Sequence, residues 1–263
     1  MRIGAMNHPR HDVVGEIRWM AELGLDFIDL TLEPPAAGYW QIDRGAIRQA
    51  LDQYGMGVVG HTAYYLPLGH PFEEIRRGAV TEFVRCLECF AELGAAVMNI
   101  HPDAKAPMHD AGFSVRQNLR SLDELLEASR RTGVGIMVEN LPGDFNNREQ
   151  LAELLDPLPE VGLHLDLGHT NLLVEENTTE EILAAYGSRL RHVHLHDNRG
   201  GNHDLHLPLG AGTVDFQMCV RALKKAGYDG TITLEVFTPD RHFVKYSAEQ
   251  LRRWWESTSV ESD

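Results

Sequence analysis

The chain has 263 residues, 43% of them hydrophobic and 24% charged, and 24 Lys and Arg against 39 Asp and Glu leave a formal net charge of −15. That apolar fraction excludes an intrinsically disordered chain, and the length suits one large α/β domain or two small ones. The negative charge disfavours a basic-patch nucleic-acid binder and attachment to an anionic membrane surface.

Short apolar runs alternate with longer amphipathic stretches from end to end. Strands are predicted over 3–6, 27–32, 57–61, 96–101, 135–139, 162–166, 191–196 and 231–236, each aliphatic or β-branched and bounded by Gly, Pro or polar residues. Helices are predicted near 13–23, 43–54, 72–93, 115–132, 147–155, 179–187, 215–226 and 247–257. Thr178 with Glu181 reads as a capping box, Asp215 and Ser247 as N-caps, and Pro71 as a first-turn residue. Gly24, Gly55, Gly94, Gly133, Gly187 and Gly227 closely follow helical stretches, as helix stops do. Strand–helix units repeated in this way, with no linker or composition break, predict a single (β/α)8 TIM barrel domain over 1–263, with 255–263 as a loose acidic tail. A doubly wound open sheet is the alternative, but the first strand–helix turn lacks G-x-G-x-x-G.

The N-terminal residues enter strand-like sequence without a secretory apolar segment, and no apolar run approaches the roughly 18 residues a membrane helix needs. Three cysteines make no disulfide framework, and Cys86 and Cys89 inside a helical pattern read as small apolar side chains. A reduced, cytoplasmic protein is expected.

The 14 histidines pose the functional question, because His is the commonest metal ligand. Active sites of such barrels lie at the C-terminal ends of the strands, and metal-type side chains collect there. His61 ends the third strand, His101 the fourth, Glu139 the fifth and Asp166 the sixth, with His169 shortly after it. The seventh strand carries His194, the following loop Asp204 and His206, and the eighth strand ends in Glu235. Any one strand-end His reads as a hydrogen-bonded structural residue. Carboxylates converging on one barrel mouth are different, because buried like charges repel unless cations neutralise them. Nitrogen and carboxylate donors without thiolate suit Zn²⁺ or Mn²⁺, with Fe²⁺ or Co²⁺ as further options. The set exceeds the about four or five ligands zinc takes, so two to three ions per chain are expected.

The motifs carrying these residues run in the order of those of endonuclease IV. They are His61-Thr62-Ala63-Tyr64 with Leu68-Gly69-His70-Pro71, Asn99-Ile100-His101-Pro102, Val138-Glu139-Asn140 and Leu165-Asp166-Leu167-Gly168-His169, followed by Val193-His194-Leu195-His196-Asp197, Asp204-Leu205-His206 and Leu234-Glu235. Over 57–239 the chain resembles the xylose-isomerase-like barrels, which include endonuclease IV and many sugar isomerases and epimerases. The resemblance implies a trinuclear zinc-type site. One ion would use His61, His101 and Glu139; a second Glu139 as a bridge with Asp166, His194 and Glu235; a third His169, Asp204 and His206. The implied chemistry is attack of a metal-bound hydroxide on a phosphoester. Departures accompany the match: His164 and Gly168 stand where endonuclease IV motifs have Cys and Cys or Ala, and His196 stands where they have Asn. The stretch 32–40 contains no Lys or Arg, which phosphate-tracking loops need.

Glu139, Asp166, His194 and Glu235 also match the one-metal set of the ketose epimerases and isomerases, where the two Glu side chains act as acid and base. Under either branch Glu139, Glu235 and His169 are the expected catalytic residues. Arg199 is the expected phosphate contact on a flexible Gly-Gly loop, and Tyr64 and Trp40 are candidate substrate contacts. Hydrolysis is the stronger expectation, because an epimerase has no use for His61, His101, Asp204 and His206 as ligands. A small phosphorylated or carbohydrate substrate is expected, with DNA disfavoured by the net charge. A barrel that binds metal or sugar without catalysis is the third alternative; the repulsive carboxylates it would retain argue against it.

Overall fold

A computed structural model describes residues 1–259. Every predicted element is present in the predicted order. The chain runs β1 (Arg2–Met6), α1 (Val13–Glu22), β2 (Phe27–Leu32), α2 (Arg44–Tyr54), β3 (Gly57–Thr62), α3 (Glu73–Leu93), β4 (Val97–Ile100) and α4 (Ala111–Thr132). It continues through β5 (Gly135–Glu139), α5 (Arg148–Leu155), β6 (Gly162–Asp166), α6 (Thr179–Tyr186), β7 (Leu190–Leu195), α7 (Phe216–Lys225), β8 (Thr231–Leu234) and α8 (His242–Ser257). The strands follow one another β1 to β8 in a closed barrel, the (β/α)8 arrangement. The elements fall into two compact units, 6–139 with 152–162 and 1–5 with 140–151 and 163–263.

In the first unit β2 and β3 pair in parallel so that Thr31 stands beside His61. Phe27, Val59 and Met137 form a buried cluster with Val97 packed against it. Helix α3 adds Phe83, Cys86, Leu87, Cys89, Phe90 and Leu93 to the buried side, so both of its cysteines are core residues; burial pushes the Cys89 thiol up to about 11. In the second unit Leu163, Leu165, Val193, Leu195, Ile232 and Leu234 are all buried. The alternate positions, His164 and Asp166 on β6, His192 and His194 on β7, and Thr231 and Thr233 on β8, therefore share the opposite strand face. The pairing sets Asp166 beside His194, and His194 beside Thr233. His192 is held by the Thr231 and Thr233 hydroxyls at 2.7 and 2.9 Å.

Several helix-end expectations are corrected. Thr178 makes no cap hydrogen bond. Instead the Asn177 side chain accepts from the Thr179 N–H at 3.0 Å, and Glu181 accepts from the Arg148 N–H. Ser247 is no cap either, because α8 begins at His242. Its hydroxyl donates to the Phe243 carbonyl and accepts from the Leu209 N–H, a tertiary use rather than a helix-end one. Pro71 precedes the N-cap, Phe72, rather than opening α3. Gly55, Gly94 and Gly133 end helices in the left-handed conformation, whereas Gly187 has φ −55° and does not. Asp215 caps α7 as expected, accepting from the Met218 N–H. The predicted tail is shorter than expected, since 255–257 belong to α8; Lys224 donates to the Trp255 and Thr258 carbonyls there. The remainder of that tail, 260–263, lies outside the described residues.

Arg76 on α3 is fully buried and anchors the loop that follows β3. Its guanidinium donates to Glu73, to Glu124 and to the Ser121 hydroxyl, which donates on to the Leu68 carbonyl at 2.7 Å. We expect Arg76→Met to lower unfolding stability by about 2 kcal/mol in urea titrations, since it removes several charge-assisted bonds at once. The Arg76 guanidinium, opposed by desolvation and assisted by Arg120, holds the Glu73 carboxyl down at about 2. A depressed carboxylate stabilises the fold above its ordinary range near 4.5 and loses that contribution as pH falls towards about 2. Glu73→Gln is therefore expected to flatten the acid limb of the stability–pH curve between those values.

Candidate metal centre

The first unit gathers His61, His101 and Glu139 from the ends of β3, β4 and β5. The Nδ1 atom of His61 meets the Thr31 hydroxyl at 3.1 Å, a contact made possible by the β2–β3 register. Its Nε2 atom lies 3.8 Å from Glu139 Oε2, and His101 Nε2 lies 3.1 Å from the same oxygen. Asn99 donates its side-chain N–H to that oxygen, which fixes the carboxylate's direction. Glu139 is buried.

The second unit contributes Asp166, His169, His194, Asp204, His206 and Glu235. Asp166 ends β6, and its Oδ1 atom accepts the Gly168 and His169 N–H groups at 2.7 and 3.0 Å, so the turn itself aims the carboxylate. The Asn140 side chain brackets Asp166 by accepting its N–H and donating to its carbonyl. His169 Nδ1 contacts the Asn140 carbonyl at 2.8 Å, and His206 Nδ1 contacts the Glu235 carbonyl at 3.2 Å. A carbonyl only accepts, so Nδ1 carries the proton in both rings, and both Nε2 atoms are left to the site. Those Nε2 atoms lie 3.2 and 3.1 Å from one oxygen of Asp204. His194 Nδ1 lies 3.3 Å from Glu235 Oε2.

This geometry tests whether the residues fit a metal. Two Nε2 lone pairs aimed at a carboxylate oxygen are repulsive unless each ring takes a second proton or a cation sits among them. In the protonated alternative, burial depresses the His206 imidazole, but Asp204 and Glu235 outweigh it and push it up to about 9. Burial likewise raises the Asp204 carboxyl, while His169 and His206 overcome it and hold the group far below the ordinary carboxylate range. Separations of 3.1 and 3.2 Å are close to the ~3.3 Å between neighbouring ligands of a tetrahedral ion with ~2.0 Å bonds. Rings oriented by carbonyls through the other nitrogen are also the usual outer support of metal-binding histidines. The donor set fits a divalent ion.

His196, a departure from the endonuclease IV motif, belongs to this second cluster. Its Nε2 atom lies 3.2 Å from Asp166 Oδ1 and 3.5 Å from Asp204 Oδ1. The signal was present in the alternation His192, His194, His196, which keeps all three on one strand face if the extended chain continues past β7. Asn99 and Asn140, which orient the ligands, lie inside the matched motifs without a role read for them there, and Thr31 lies in none of them.

The expected substrate contacts stand differently. Tyr64 is 70% exposed and packs edge-on to Tyr65, and Trp40 is 60% exposed and packs edge-on to Tyr39. Arg199 is exposed after β7, but its loop is tethered rather than free. The Asn198 side chain donates to the Gly168 carbonyl and accepts from the Gly200 N–H, and the Gly201 carbonyl accepts from Leu173. Asp197 pins the stretch that follows by accepting from the Gly210, Gly212 and Val214 N–H groups, so residues 210–214 hold this loop.

A parallel barrel with His and carboxylate clusters at its strand ends defines the class: a TIM barrel whose clusters are compatible with divalent metal ions. The chain belongs to the xylose isomerase-like TIM barrel family, whose sequence model matches residues 17–258. An uncharacterized protein of Methanocaldococcus jannaschii is 30% identical over 202 residues, which are 70% of this chain and 66% of the relative. The match thus spans just under two thirds of that relative's length. A probable endonuclease 4 of Aquifex aeolicus is 25% identical over 240 residues, 83% of this chain and 84% of that protein. Among solved structures, a D-tagatose 3-epimerase-like protein superposes with a TM-score of 0.85 at 24% identity and covers 97% of both chains, a likeness of fold. Among the described residues no helix is long and apolar enough to cross a membrane.

Proposed function

We propose that the chain is a divalent-metal-dependent hydrolase of a phosphoester, using two to three ions, with Zn²⁺ or Mn²⁺ as the first choices and Fe²⁺ or Co²⁺ as others. The observation that carries this reading is the pair of Nε2 atoms of His169 and His206 aimed at Asp204. A one-ion epimerase that works through Glu139 and Glu235 needs no such ligand set, nor the separate His61–His101–Glu139 set. When bound, the ions would lower the pKa of water and neutralise charge on the reacting phosphate.

The protein's own groups prepare that chemistry. Asn99 directs the Glu139 carboxylate, and the Asp166 turn holds its carboxylate against rotation. Glu235 orients His206 through its carbonyl and lies against His194 through its carboxylate. Arg199 would meet the substrate's anionic group, with Tyr64 and Trp40 as apolar walls. A net charge of −15 favours a small phosphorylated substrate over DNA.

The alternative is a sugar or sugar-phosphate isomerase or epimerase, with one ion and Glu139 and Glu235 as acid and base. The burial of both carboxylates at strand ends supports it, since that reading needs an acid and a base fixed at the barrel mouth. Metal analysis of the purified protein, joined to turnover of phosphodiesters, phosphomonoesters and ketoses with each metal, separates the two. Two or three ions with phosphoester turnover is the expected result. One ion with ketose turnover would overturn it.

A further inference from the structure

The two departures at Gly168 and His196 form one construction. His196 is fully buried, and its ring is wedged between others. It lies 4.2 Å from the His206 ring at 30° and 5.4 Å from the His169 ring at 71°. Neither ring nitrogen makes a hydrogen bond among the described residues. Buried polar groups are ordinarily partnered, so a ring placed in this way calls for a ligand. The nearest acceptor, Asp166 Oδ1, already takes two backbone N–H groups.

Gly168 makes room for this ring. Its φ of −71° and ψ of −42° are ordinary right-handed values open to any residue, so backbone conformation does not demand glycine there. Space does. A Cβ atom at 168 would lie 2.2 Å from His196 Nε2, 2.3 Å from Cε1 and 2.6 Å from Cδ2. The imidazole thus occupies the volume that any side chain at 168 would need, with Nε2 brought against Asp166 Oδ1 and Asp204 Oδ1 at 3.2 and 3.5 Å. His196, Asp166 and His169 each offer a donor atom within 4.8 Å of the others.

We propose that His196 Nε2 is an additional metal ligand, acting with Asp166 and His169, and that Gly168 is the residue that admits it. This rests on the metal-dependent reading above and deepens it. A second imidazole beside one carboxylate makes the set richer in nitrogen, which favours Zn²⁺, Co²⁺ or Fe²⁺ over Mg²⁺ or Mn²⁺.

The test is equilibrium titration of metal-free protein with Zn²⁺ and with Co²⁺, following heat and visible absorption, on the wild type, His196→Asn and Gly168→Ala. In His196→Asn one site is expected to weaken by more than about 100-fold, beyond the roughly 10–100-fold cost of losing an outer-shell partner. The intensity of the Co²⁺ bands changes with the lost nitrogen, and the other sites keep their affinities. Gly168→Ala is expected to weaken the same site by displacing the ring and also to lower Tm. The pair Gly168→Ala with His196→Asn recovers Tm in part, because Asn lacks the two ring atoms that would lie 2.2 and 2.3 Å from the new Cβ, but not the ion; it carries the measurement if either single variant fails to fold. Unchanged stoichiometry with affinities within about threefold in His196→Asn, or in the double variant, overturns the assignment. A wild type that binds no ion overturns the metal-dependent reading as well, which distinguishes the two failures.

Discussion

Glu139→Gln is expected to reduce turnover by about 10³-fold or more, equivalent to about 4 kcal/mol of transition-state stabilisation. Glu139 supplies the carboxylate of the His61–His101–Glu139 group, facing two imidazole nitrogens at 3.1 and 3.8 Å and an amide donor from Asn99. Glutamine keeps the volume but removes the charge that would balance a cation, and its amide N–H groups would confront Asn99 and the two rings. The ion content of this variant is expected to fall by one, measured by elemental analysis after dialysis. Asn99→Ala, which removes only the orienting bond, is expected to cost roughly 10–100-fold. Retention of activity within tenfold in Glu139→Gln would remove this cluster from the mechanism under both functional readings, since the epimerase reading also needs Glu139 as an acid or base.

His206→Ala discriminates between those readings. Its Nε2 atom shares Asp204 with His169, and its Nδ1 atom is tied to the Glu235 carbonyl, so its position is set from both sides. The backbone at His206 is held at φ +45°, a left-handed conformation that a histidine adopts only under constraint from its surroundings. In a multinuclear hydrolase, removing this ligand is expected to lower phosphoester turnover by about 10³-fold and to reduce the ion count. In a one-ion epimerase, ketose turnover would stay within about threefold, because neither His206 nor Asp204 belongs to that ligand set. Measuring both substrates on one preparation decides it, and unchanged phosphoester hydrolysis would eliminate the His169–Asp204–His206 group from the chemistry.

Much of the architecture is legible in the amino-acid sequence. Strand β5, over Gly135–Glu139, and β6, over Gly162–Asp166, have the predicted bounds because a buried aliphatic run between Gly and a polar turn has few other uses. The ligand-type residues stood out because each follows such a run. Errors arose where a side chain does something local patterns do not encode. Ser247 looks like a cap but serves a loop distant in sequence, and Thr178 looks like a cap but yields the role to Asn177. The role of His196 is legible only from the strand face it shares with His192 and His194, not from the motif around it.

The sequence by itself determined the order of strands and helices, the alternation of faces, and the types of donor atom at the strand ends, because these depend on period and chemistry along the chain. Tertiary structure alone decided which nitrogen each histidine presents. Carbonyls of Asn140 and Glu235, each far from its partner in sequence, take the Nδ1 protons of His169 and His206. It also decided why position 168 is glycine: the reason is no turn of the backbone but the His196 ring in the space a Cβ would fill. Such facts depend on distances between residues remote in the chain, and those distances exist only once the strands have paired and the loops have closed over them.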